Sequence, residues 1–152
     1  MFQKHHSNGF TIVELLVVMA LLGIIAFISA SSFQNMYHAS TLRAGGGEVY
    51  RALTSAHTQT LASKDDAVYG VHLSTSTVTR FTGGSYVSGA ATNRVYVFEG
   101  GVTATSSLMS GTGDIVFSRL TGAPSVVGAI SVRNTSGTTT INILASGLIE
   151  YD

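Results

Sequence analysis

Cysteine is absent from this 152-residue chain, proline occurs once, as Pro124, and charged residues make up only 11% of it. The missing thiols exclude disulfides, thiolate catalysis and cysteine-ligated metals. The charged fraction is low against a typical quarter, and eight basic side chains balance eight acidic ones, for a formal net charge of zero. No basic block is present, so nothing offers bulk positive charge to a nucleic acid. The sharpest deficit is local. From Leu15 to Leu42 there is no Asp, Glu, Lys or Arg.

What fills that gap is apolar. Leu15, Leu16, Val17, Val18, Leu21, Leu22, Ile24 and Ile25 stand within a run that continues to Ile28. About 20 apolar residues suffice for a helix to cross the hydrocarbon of a bilayer. Glu14, at the head of the run, is its anomaly. A carboxylate near hydrocarbon costs about 2–3 kcal/mol even on insertion scales, so it reads as a functional group with a partner. The alternative is a carboxylate solvated at headgroup depth. Ahead of it, residues 1–9 are short and polar, with Lys4 positive and His5 and His6 able to charge below neutral pH. Lys4 keeps this end cytoplasmic by the positive-inside bias. A secretory signal would carry its apolar core inside the removed part. Here the small residue, Gly9, precedes the core, so a cut there leaves the hydrophobic helix on the mature chain.

Gly9-Phe10-Thr11-Ile12-Val13-Glu14 ahead of a long apolar run resembles the prepilin signature of type IV pilins and type II secretion pseudopilins. The resemblance covers roughly the first 30 residues. It implies cleavage after Gly9 by a prepilin peptidase, N-methylation of Phe10, and assembly through the N-terminal helix with Glu14 as the assembly residue. Many major type IV pilins also carry a C-terminal disulfide, which this chain has no cysteine to form.

No proline interrupts the chain from Phe10 to Ser63, which at 1.5 Å per residue predicts a helix about 80 Å long. Its first half is apolar all round. In the second, Leu42, Val49, Leu53, Ala56 and Thr60 recur at spacings of 7, 4, 3 and 4, one face of a helix, with Arg43, Glu48 and Arg51 off the stripe. Gly23 lies in the membrane run, where glycine allows close helix approach. Gly45-Gly46-Gly47 can melt or kink the helix, since each costs about 1 kcal/mol against alanine. It reads as a flexible joint or as a hinge used in filament packing.

Lys64-Asp65-Asp66 ends the helix in a polar turn, after which the apolar period becomes two. Strands are expected over Val68 to Leu73, Thr77 to Phe81, Arg94 to Phe98, Asp114 to Ser118, Ala129 to Arg133, Thr138 to Leu144 and Leu148 to Tyr151. Ser74-Thr75-Ser76 and Asn134-Thr135-Ser136-Gly137 read as hairpin turns, 83–93 and 100–113 as loops, and Gly147 as the last reversal. Ile130/Val132 against Ser131/Arg133 marks an antiparallel sheet with one wet face. The fold class is therefore α+β, a long N-terminal helix packed on an antiparallel β-sheet domain. Residues 1–9 form a leader, 10–33 a transmembrane or filament-core helix, 34–66 its amphipathic half and 67–152 the globular domain. Six or seven short strands after one long helix resemble, more loosely, the GspH/FimT group of pseudopilins and minor pilins.

No catalytic constellation has spacing support, so no enzyme activity, cofactor or metal is expected. His38 and His57 are 19 residues apart on one helix, about 28 Å. Asp65-Asp66 reads as a solvated turn rather than a cation site. Asp114, Glu150 and Asp152 could ligate Ca²⁺ as hard oxygen donors, but no loop spacing gathers them. The resemblance implies a structural subunit of a type II secretion pseudopilus or a type IV pilus in the inner membrane. It would be single-pass, with its C-terminal domain periplasmic or extracellular. The implied partners are other pilin or pseudopilin subunits, the prepilin peptidase, the assembly platform and the membrane. A major pilin and a DNA-uptake minor pilin are the alternatives. Nucleic acid is not an expected partner, because the tail from Gly147 to Asp152 is acidic where phosphate contacts need Arg or Lys.

Overall fold

The structure, a computed structural model, describes residues 9–108 and 113–152, and of residues 29–32 only the backbone. Met1 to Asn8, which hold Lys4, His5 and His6 of the expected leader, lie outside the described residues, as do residues 109–112 of the expected loop. Helix α1 (Ile12–Leu61) is a single 50-residue element. The chain divides into two compact units between Met36 and Tyr37.

In the first unit every described side chain from Phe10 to Ile28 is exposed. Phe10 is 79% accessible and Phe27 83%. A helix apolar on all sides is stable in water only if something covers it, which a bilayer or a bundle of like helices does.

The second unit has a built core. On α1, Leu42, Val49, Leu53 and Ala56 are buried, as is Thr60, the stripe expected from the spacing. Thr60 is the polar member, and its hydroxyl accepts the Tyr69 N–H at 2.9 Å. The chain leaves α1 through a 3-10 turn at Lys64–Asp66, where Asp65 and Asp66 take positive φ. The strands are β1 (Tyr69–Leu73), β2 (Thr77–Thr82), β3 (Arg94–Val97), β4 (Thr103–Leu108), β5 (Asp114–Val116), β6 (Gly128–Asn134), β7 (Gly137–Ile143) and β8 (Ile149–Tyr151). They form two antiparallel four-stranded sheets, ordered β3-β2-β1-β5 and β4-β6-β7-β8. Val71, Val78, Ile115, Ile130, Val132 and Ile141 point inward and are essentially inaccessible. Burying each such side chain stabilises by about 1.5–3 kcal/mol.

Two expectations are corrected. There are eight strands among the described residues rather than six or seven, and they form two sheets rather than one. The additional strand, β4, lies where residues 100–113 read as a loop. Its sequence Thr-Ala-Thr-Ser-Ser-Leu buries only Ala104, so it shows no apolar alternation, and pairing with β6 alone makes it a strand. The Asp65-Asp66 turn is exposed, as expected, and is also tied to the rest of the domain. Asp66 is ion-paired with Arg119, and Asp65 accepts the Tyr69 hydroxyl at 3.1 Å.

Gly45, Gly46 and Gly47 do not interrupt α1, which is helical throughout them. Gly45 and Gly46 let the helix sit close to the domain. A Cβ on Gly45 would stand 3.0 Å from Val102 Cγ1 and 3.7 Å from both Phe98 and Val132, whereas one on Gly47 would meet nothing within 4 Å. The three positions therefore have different consequences. Gly47→Ala should stabilise by about 1 kcal/mol, the intrinsic helix gain. Gly45→Leu must force at least three further carbons against buried valines and should destabilise by about 1–3 kcal/mol. Urea midpoints of the two variants that move in the same direction would refute this division.

Burial, first of all, holds the Tyr69 phenol above its usual value of 10.0, with the hydrogen bond to Asp65 and that carboxylate's charge adding to the shift and Arg80 opposing it. An unfolded phenol gives up its proton near pH 10 while the native one keeps it, so stability falls as pH rises beyond that point. Tyr69→Phe should flatten this alkaline loss in thermal melts taken between about pH 9 and 11. An unchanged slope would count against it.

Candidate functional site

The helix that carries the expected site begins with a cap. Thr11 precedes the first helical residue, and its hydroxyl accepts the Glu14 N–H at 3.2 Å while its carbonyl accepts the Leu15 N–H at 3.2 Å. Thr11-x-x-Glu14 is thus a helix-start signature, with the carboxylate in the first turn where it faces the positive end of the helix dipole. The sequence contained this signal, since a threonine three residues before a glutamate ahead of an apolar run is its pattern. Gly9 and Phe10 are exposed and lie outside the helix. Among the described residues the Glu14 carboxylate has no hydrogen-bond or ion-pair partner within the chain. Leu15, Leu16, Val17, Val18, Leu21, Leu22, Ile24 and Ile25 follow as an exposed apolar surface.

The carboxylates and histidines weighed in the sequence lie apart. Asp114 lies in β5 of the first sheet, whereas Glu150 and Asp152 belong to β8 and the residue after it, so the three carboxylates do not converge. His57 packs edge-on against Phe117, with ring centroids 5.2 Å apart. His38 stands edge-on to Tyr37. One pair has no counterpart in the sequence pattern. His72 and Asp114 are register partners across β1 and β5, with Nδ1 and Oδ1 2.5 Å apart. The imidazole also stacks on Tyr86 with centroids 4.0 Å apart. Forty-two residues separate the pair in the chain, so no spacing could announce it. It ties the edge strand β5 to its neighbour.

The class is an α+β protein whose one long helix presents a capped, uncovered apolar surface, while two antiparallel sheets enclose the core beside its second half. Residues 4–30 match the prokaryotic N-terminal methylation motif. This type IV pilin-like signal supports a pilin or pseudopilin family and a membrane-anchored subunit. No curated protein and no solved structure matches the chain.

Proposed function

We infer that this chain is a structural subunit of a pilin-like filament, a pseudopilin or minor pilin serving a type II secretion pseudopilus or a type IV pilus. The observation that carries the reading is the methylation motif over residues 4–30, set on a helix whose described side chains from Ile12 to Ile28 are all exposed. In this reading residues 1–9 are a leader removed on the cytoplasmic side, and Phe10 becomes the methylated amino terminus. Residues 10–33 anchor the subunit in the inner membrane and later form the filament core. Residues 34–66 hold the rest of that helix, which ends at Leu61, and the turn after it, and residues 67–152 form the domain displayed beyond the membrane.

Each residue has a physical role. Gly9 has no side chain and suits a narrow peptidase subsite. Thr11 starts the helix two residues after the proposed cut. Glu14 offers a carboxylate to the positive amino terminus of a neighbouring Phe10. The apolar residues from Leu15 to Ile25 supply contact area but little axial register. Membership of the GspH/FimT group rests on the order of parts, one helix and then short strands.

The test is mass spectrometry of the chain recovered from membranes and from sheared or pelleted filaments. The expected amino terminus is Phe10 with one added methyl group. A mature chain that still begins at Met1, or a chain that never leaves the soluble fraction, overturns the reading.

A further inference from the structure

Three of the chain's six arginines meet in one place. Arg51, Arg80 and Arg94 line an open cleft of about 300 Å³ between α1 and the β2–β3 edge of the first sheet. Arg80 and Arg94 are direct register partners on antiparallel strands. Like charges placed so are destabilising unless an anion or other compensation stands between them. Compensation within the chain is thin. Arg80 donates to Ser55 Oγ at 2.9 Å and lies 5.8 Å from the Tyr69 ring centroid. Glu48, the cleft's one carboxylate, is paired with Arg51 at 3.3 Å. Arg94 is exposed and, among the described residues, has no acidic partner. The cleft therefore carries an excess of two positive charges.

The complementary charge lies elsewhere on the same unit. Glu150 in β8 and Asp152 after it are exposed, and among the described residues neither carboxylate has a partner. The strand alternates, so Tyr151 turns towards α1, stacking edge-on to Tyr50 with centroids 5.8 Å apart, while Glu150 and Asp152 turn away. At about 100° per residue, Gly46 and Tyr50 on the β8 side and Glu48, Arg51, Ala52 and Ser55 on the cleft side fall on opposite flanks of the buried Leu42/Val49/Leu53/Ala56 stripe. Both β3 and β8 are edge strands, so among the described residues no further strand covers either one.

We propose that the Arg51/Arg80/Arg94 cleft is a carboxylate-binding site that receives Glu150 and Asp152 of a second copy of this chain. The proposal rests on the reading as a filament subunit and adds a second contact to it, between globular domains. Donor and acceptor surfaces lie on opposite flanks, so the contact is heterologous and repeats from copy to copy instead of closing into a pair. Guanidinium groups suit the task because their planar fork matches a carboxylate with two parallel hydrogen bonds. Exposed pairs of this kind are individually weak. They become effective when the N-terminal helices already hold the copies together at high local concentration.

The full chain has no cysteine, so an introduced pair reports without background. Arg94→Cys combined with Glu150→Cys, expressed in cells that assemble the wild type, should give under mild oxidation a reducible ladder of dimers, trimers and longer species. Neither single variant should do so. Separately, Arg80→Glu with Arg94→Glu should lower recovery in the filament fraction about tenfold, since like charges facing across an interface repel strongly. Adding Glu150→Arg and Asp152→Arg should restore it, and that rescue also shows that the reversed chain folds. A double-cysteine chain that gives no ladder, or reversed arginines that assemble as well as wild type, overturns the proposal while leaving the filament reading intact. Reversed arginines that lose a salt-sensitive shift of labelled duplex DNA, with no rescue by the acidic-strand changes, overturn it in favour of a nucleic-acid site. A wild type that forms no multimers removes the filament reading itself.

Discussion

A Glu14→Leu chain should be cut after Gly9 as efficiently as wild type and then be nearly absent from filaments. The reason lies in what the helix lacks. From Leu15 to Leu42 no charged side chain can tell one axial position from another, and apolar surfaces slide past one another at little cost. In a filament each incoming helix must nonetheless stop at one register of a repeating head-to-tail contact. A carboxylate five residues into the processed chain can pair with the amino terminus of the adjacent copy. Left unpaired in a low-dielectric bundle, it would cost several kcal/mol, so it penalises wrong registers more than it strengthens the right one. The cap supplies a rival explanation, because Glu14 stands three residues after Thr11, a position from which a side chain could reach back to the Thr11 N–H, although its carboxylate makes no such bond among the described residues. Glu14→Gln separates the two. Glutamine serves a capping box nearly as well as glutamate but has no charge. Loss of assembly in both variants, with processing intact, supports the register role, and partial function is expected for Glu14→Asp. If the Glu14→Gln chain assembles normally, the carboxylate acts on its own helix alone.

The second large effect is expected at Gly147. This residue turns β7 into β8 with φ of 85°, and its N–H closes the turn on the Leu144 carbonyl at 2.9 Å. An added Cβ would come 2.6 Å from the Gly122 carbonyl oxygen and 2.8 Å from His57 Nε2. A β-branched side chain is a genuine outlier at such a φ, and a backbone carbonyl cannot swing aside as a side chain can. Strain and overpacking together should make Gly147→Val cost about 4 kcal/mol. The resulting fall in melting temperature is on the order of 15 °C. Gly84→Val is the control, since a Cβ there meets nothing within 4 Å and its φ is not positive. A Gly147→Val protein that melts with the control would show that the turn yields easily.

Local pattern made much of this structure legible in the sequence. The helix and its buried stripe follow from a period near 3.6, and seven of the strands from a period of two, because each depends on neighbours in the chain. β4 was illegible because its outward face is serine and threonine, and its inward face offers only Ala104 and, at its end, the partly buried Leu108. Gly45-Gly46-Gly47 misled because propensity describes an isolated helix, while the closeness of Val102 depends on the folded domain. The His72–Asp114 pair and the arginine cleft share that limit. Arg51, Arg80 and Arg94 come from a helix and two strands, and only the β2–β3 register brings the last two face to face. At the N-terminus the motif marked a candidate site, but the capping role of Thr11 is masked there by the more conspicuous charge of Glu14.

The Thr11 cap also bears on where a peptidase can act. A peptide bond inside a helix has its N–H and carbonyl committed along the axis, and must be unwound before a protease can take hold of it. By starting the helix at Ile12, Thr11 leaves the Gly9–Phe10 bond in free, exposed backbone one residue upstream of the cap. If this is the bond that is cut, as proposed, it is presented without unfolding any of the apolar rod. Removing the leader would then leave the cap, and the helix it nucleates, unchanged. Proteolysis and assembly can follow one another with no refolding step between them.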